Sequence, residues 1–95
     1  MLSKIPMDLA KSKPEILDQE ILRAGIIAEL DAINLYLQMA DMTNNKDIKT
    51  ILLDIAKEEK THMGEFQTLL LRIDPEQVSE LEAGRKEVED ELSSK

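Results

Sequence analysis

From Glu15 to about Met42 the chain runs through helix-favouring residues without a proline, breaks at Thr43-Asn44-Asn45-Lys46, and resumes to about Arg72. Two long helices joined by so short a turn have to lie antiparallel. Pro14 suits the first position of helix one, where its missing N–H costs nothing. Asp47 is placed to cap helix two. Asp74-Pro75-Glu76-Gln77 ends that helix and starts a third: Asp74 as N-cap, Pro75 as first residue, Gln77 closing a capping-box-like pattern. The third helix, roughly Pro75 to Leu92, carries a thin apolar stripe of Val78, Leu81, Val88 and Leu92 in a charged sequence. The expected organisation is a flexible lead over residues 1–13, one helical domain over 14–92 and a frayed polar tail over 93–95.

Helix one poses a packing problem. Ile26, Ile27, Leu30, Ile33, Leu35, Leu37 and Met39 cover much of its circumference. A helix apolar over so wide an arc needs neighbours on more than one side. A 95-residue chain buries a modest core by itself. A second copy is the simplest source of the missing neighbours, giving an all-α four-helix bundle from two hairpins. Composition agrees: 42% apolar residues suffice for a core, while 2% aromatics argue against a sheet protein. The net charge of −8 repels phosphate backbones and attracts cations, so nucleic acid is not an expected partner. Cysteine is absent, which excludes disulfides, thiol catalysis and Cys-type zinc sites. No apolar run approaches the roughly 20 residues of a membrane span. Met1–Ala10 lacks the long apolar region of a signal peptide, so a soluble cytoplasmic protein is expected.

The chemistry lies in two helical seams. Along helix two, alternating steps of four and three give Ile48, Leu52, Ile55, Glu59, His62, Phe66, Leu69 and Ile73. Along helix one they give Leu22, Ile26, Glu29, Ile33, Tyr36 and Ala40. Both seams are apolar, as a bundle interior demands, except at Glu29, Tyr36, Glu59 and His62. An unpaired carboxylate in an apolar interior costs several kcal/mol, so it finds a partner, changes protonation or binds a cation. Glu59 and His62, three residues apart, project from one helical face and can grip one metal ion together. Glu29 and Glu59 each lie about 15 residues from the middle of the turn, so at about 1.5 Å per residue they fall at nearly one height. One chain therefore offers a Glu on one helix and Glu-x-x-His on the next. Di-iron carboxylate bundles need that set twice, and a two-fold dimer supplies it. Donors of this kind suit iron or manganese, and zinc or calcium can occupy them as well. Ligation requires neutral His62, so metal loss at low pH is expected.

Other readings of the same residues stand beside this one. Glu29 can instead pair with Arg23 or a lysine, His62 can be a hydrogen-bonded core histidine, and Tyr36 can be plain packing with its hydroxyl at a boundary. Asp31, Asp54 and Glu58 read more simply as solvated helix faces, and Met39, Met42 and Met63 as packing. The acidic run Glu87 to Glu91 reads as a solvated helix end. A phosphate-binding glycine loop, a Ser/His/Asp triad and a basic patch are all missing from the sequence.

The stretch Ala28-Glu29-Leu30-Asp31-Ala32-Ile33-Asn34-Leu35-Tyr36, followed after the turn by Glu58-Glu59-Lys60-Thr61-His62, resembles the encapsulated ferritins, short ferritin-like proteins that partner or fuse with encapsulin shells. The resemblance covers roughly Glu20 to Leu81. It implies a ferritin-like four-helix bundle formed by dimerisation, and dimers assembled into a ring-shaped decamer. It also implies a ferroxidase that oxidises Fe(II) to Fe(III) with oxygen or peroxide at a di-iron centre between subunits. The shell then stores the iron, which places the protein inside an encapsulin nanocompartment in the cytoplasm. Glu29, Glu59 and His62 match the family's iron ligands, Tyr36 the tyrosine beside the centre, and Asp31 a carboxylate of the site where iron enters. Ala28 stands where a second carboxylate of that outer site is often found, and Leu35 replaces a neighbouring aromatic. A Gly/Leu-rich shell-targeting peptide is not seen at the C-terminus, so a trimmed cargo or the front of a shell fusion is expected. Two rival functions are a rubrerythrin-like di-iron peroxidase and a non-catalytic helical oligomer that binds zinc structurally.

Overall fold

The structure, a computed structural model, describes residues 13–94. Most of the predicted lead, residues 1–12, and Lys95 of the predicted tail lie outside the described residues. The rest is three helices in series: α1 over Pro14–Met42, α2 over Lys46–Ile73 and α3 over Pro75–Ser93. No strand occurs among the described residues, and the all-α expectation holds. Pro14 occupies the first turn of α1, after an extended Lys13 that offers no side-chain cap.

The start of α2 differs from expectation by one or two residues. The cap is Asn45, not Asp47. The Asn45 Oδ1 accepts from the N–H groups of Asp47 and Ile48 at 2.9 and 3.0 Å, so the helix begins at Lys46. Asparagine's short amide reaches the free N–H groups of the first turn, while Asp47 sits inside that turn and adds a favourable negative charge. Asn45→Ala is therefore expected to cost about 1 kcal/mol of stability, read as a lower midpoint in urea. An unchanged midpoint would mean that the cap contributes nothing to folding.

At the other end, Asp74 serves two helices at once. Its N–H donates to Leu70 O at 2.9 Å, closing α2, while its Oδ1 accepts from Gln77 N–H at 3.1 Å, opening α3. The expected reciprocal capping box is therefore only half formed, because the Asp74 N–H is already used by α2. The same carboxylate faces Arg23 of α1 at 3.5 Å, and the Gln19 side-chain amide donates to Ile73 O at 2.9 Å. These contacts tie the open end of the hairpin. They also direct Arg23 to Asp74, which removes the Arg23–Glu29 alternative.

The hairpin core is narrow. Among the described residues only Ala32, Ile33, Ala40, Ala56 and Leu70 are buried, and the three alanines let the helices approach closely. The intrahelical seam of α2 differs from the expected one: Ala56 and Leu70 are the residues fully covered, one step round from Ile55 and Leu69. The predicted seam is only partly covered: Leu52, Ile55, Glu59 and Phe66 are half-buried, while Ile48, Leu69 and Ile73 remain 49%, 49% and 42% exposed along the edge of the hairpin. The sequence pattern merged two faces, one covered by α1 and one that no part of the described chain covers.

From Val78 onward every described residue of α3 is exposed; of the predicted stripe, Leu81 borders the hairpin, sharing a groove with Ile26, Ile27 and Leu70, while Val88 and Leu92 stay 58% and 68% exposed. The helix is held locally by charge pairs one turn apart. Arg85 bonds Glu82 and Glu89, and Lys86 meets Asp90 at 2.8 Å. The Arg85 guanidinium holds the Glu82 carboxyl below its usual range. Ser93 belongs to α3, and its hydroxyl donates to Asp90 O at 3.1 Å.

Candidate metal centre

The antiparallel register brings Glu29 of α1 level with Glu59 and His62 of α2. One ligand atom from each of the three lies within 4.8 Å of the other two. The His62 Nδ1 is 3.5 Å from Glu59 Oε2 and 3.8 Å from Glu29 Oε2. Neither separation is a hydrogen bond. Three polar groups converge without bonding one another, two of them carboxylates of the same sign. Both carboxylate side chains are largely sheltered, at 18% and 19% exposure, while His62 is 47% exposed. The site therefore sits on the uncovered edge of the hairpin, with the histidine turned outward.

Glu29 Oε2 is buried and has no hydrogen-bond partner. A sheltered carboxylate oxygen left in this state costs free energy unless a cation meets it. The donor set of two carboxylates and an imidazole is hard and free of sulfur, which suits a divalent cation such as Fe(II). These residues fit an iron-binding role. Beside them runs an open groove lined by Glu29, His62, Glu65, Phe66 and Leu69. Its floor is shaped by Phe66, whose ring lies so close to Gly25 that a Cβ there would meet three ring atoms at 3.1–3.2 Å. A glycine at that point of α1 lets the ring lie flat against the helix backbone.

The other predicted residues do not join this cluster. Tyr36 is half-buried on the same face of α1 as Glu29, two turns nearer the hairpin bend. Asp31, two residues after Glu29, falls roughly 200° round the helix and does not line the groove. Glu58 and Asp54 are exposed. Glu65, Phe66 and Leu69 are the groove residues whose place at the site was not read from the sequence. Phe66 stood in the seam as packing, and the available signal for Glu65 was its position three residues beyond His62, one helical turn along.

The sequence model of the Rubrerythrin family matches residues 20–94. Over 92 residues the chain is 53% identical to the ferritin-like–encapsulin shell fusion protein of Pyrococcus furiosus, covering 95% of this chain and 27% of that protein. Over 58 residues it is 48% identical to the encapsulin nanocompartment cargo protein EncC of Myxococcus xanthus, covering 61% of this chain and 45% of that one. The chain thus spans less than half the length of either relative. The crystal structure of the encapsulated ferritin domain from Pyrococcus furiosus superposes with a TM-score of 0.81 at 52% identity, covering 95% of this chain and 94% of that domain.

Proposed function

This chain belongs to the rubrerythrin family and, within it, to the encapsulated ferritins, and on that premise we propose that it is a ferroxidase, an iron-handling oxidoreductase that converts Fe(II) to Fe(III). The observation that carries the proposal is the convergence of Glu29, Glu59 and His62, with Glu29 Oε2 lacking any partner in the protein. In this reading Glu29, Glu59 and neutral His62 hold Fe(II) as substrate, and two chains related by a two-fold axis hold a pair of irons between them. Each iron gives one electron to the oxidant: four Fe(II) and four protons reduce one O₂ to two waters, and two Fe(II) with two protons reduce one peroxide. The sheltered carboxylates stabilise the extra positive charge of Fe(III), which favours oxidation. Tyr36 is the tyrosine beside the centre, and Asp31 belongs to the path by which iron arrives.

The names of the relatives support a setting as well. We place this chain inside an encapsulin nanocompartment in the cytoplasm, as cargo or as part of a longer shell fusion, with dimers assembled into a ring-shaped decamer. No helix among the described residues is long and apolar enough to cross a membrane.

The direct test is aerobic Fe(II) oxidation followed at the ferric absorbance, with oligomeric mass measured with and without Fe(II). Saturable oxidation above the buffer rate, with metal promoting assembly, is the expected result. Silence in both air and peroxide, with tightly held zinc and unchanged mass, would identify a structural zinc oligomer instead. A second reading, a peroxidase, has the rubrerythrin match in its favour. It would displace the first if peroxide turnover with a reductant far exceeded iron turnover.

A further inference from the structure

Beyond the three converging ligands, we propose that Glu65 is a positioning residue that gathers Fe(II) at the mouth of the groove and delivers it to Glu29 and His62. This rests on the ferroxidase reading above. Three observations carry it. Glu65 lines the same groove as Glu29 and His62. In the single chain it is exposed where Glu29 is sheltered, so a cation that reaches the unassembled hairpin from solvent meets Glu65 first. It also makes no hydrogen bond or ion pair with any described residue, so no described side chain neutralises its charge.

Placement supports the role. On α2, Glu65 follows His62 by three residues, which sets the two side chains one above the other on neighbouring turns. The groove's charged and ionisable lining is Glu29, Glu65 and His62, with Phe66 and Leu69 supplying apolar walls. No lysine or arginine lines it, and the arginine nearest on α1, Arg23, is directed to Asp74. A cleft of one sign with low-dielectric walls raises the local concentration of the opposite ion and speeds its association. Asp31 lies outside this groove, and Ala28 offers no donor, so Glu65 is the exposed carboxylate that the fold sets at the opening.

The role predicts a division between capture and turnover. In the full chain, Glu65→Gln is expected to slow Co(II) association by about three- to tenfold at low ionic strength, while final Co(II) stoichiometry stays at the wild-type value. Co(II) is followed by its visible absorption in rapid mixing. For Fe(II) oxidation, KM rises by a similar factor and kcat is retained. Glu65→Asp restores most of the association rate, and added salt narrows the difference between wild type and Glu65→Gln. Glu58→Gln is the matched control, since Glu58 carries the same charge on the same helix but lies outside the groove. Equal slowing by Glu58→Gln and Glu65→Gln would overturn the proposal, because a general field would then explain both. A change in oligomeric mass with unchanged association rate would also overturn it, marking Glu65 as an interface residue. Failure of wild-type protein to bind Co(II) at all would instead bring down the ferroxidase reading, and this inference with it.

Discussion

Glu59→Ala and His62→Ala should each reduce Fe(II) oxidation to the buffer background, a loss of at least about a hundredfold, since even outer groups around metal ligands cost 10–100-fold when removed. The reason is geometric. The three donors converge from two helices, so removing one leaves the ion two donors of that cluster. Stability should move the other way or not at all. Glu59 and His62 make no hydrogen bond with any described residue, so removing either leaves no abandoned partner among them. Glu59→Ala also relieves the repulsion between two sheltered carboxylates. The expected result is a metal-free thermal midpoint equal to or above that of wild type. The upward shift that Co(II) gives the wild-type protein should disappear, because only a ligand that binds the folded state stabilises it. Oxidation at the wild-type rate in either variant would remove these residues from the site. A large loss of metal-free stability would show that they serve packing instead.

Why these residues were legible, and others were not, follows from what a sequence pattern measures. Glu29 and Glu59 stand out because an apolar seam makes a carboxylate conspicuous, and a tight turn converts residue counting into height along two helices. Both conditions are local, and the structure brings the two side chains together. The seam itself misled by one step. Alternation of four and three cannot tell a face covered within the hairpin from a face left for another chain, and α2 carries both side by side: Ala56 and Leu70 on one, Leu69 and Ile73 on the other. Glu65 is inconspicuous in the sequence for the opposite reason. It lies on the wet side of the pattern, where glutamate is expected, and only the groove distinguishes it from Glu58. The sequence points to Asp47 as the cap where the structure uses Asn45, because both residue types cap helices well. The choice depends on which side chain reaches back to free N–H groups, a property of the turn's conformation.

Leu69→Asp should leave the chain monomeric at concentrations where wild type is at least a dimer, and it should lower helix content at the same time. Among the described residues sixteen large apolar side chains are exposed, while five residues, three of them alanine, are buried. A protomer so lightly packed has little to offset the entropy of ordering three long helices. Its stability is expected to depend on protein concentration, with a thermal midpoint that rises on concentrating the sample. Leu69 is the informative position because it lies on the uncovered edge beside His62 and also walls the metal groove. Covering a half-exposed leucine contributes roughly 1 kcal/mol, and a two-fold interface uses it twice. Burying an unpaired aspartate there costs several kcal/mol more. Together these terms predict a dissociation constant raised by at least about a hundredfold, since 1.4 kcal/mol is one factor of ten. Because the same surface carries the metal ligands, Fe(II) or Co(II) should promote assembly of wild type and lose that effect in Leu69→Asp. Wild-type mass by analytical ultracentrifugation for this variant would move the interface elsewhere. The apolar edge beside Glu29, Glu59 and His62 would then need another explanation, and the shared di-iron centre would have no second chain to complete it.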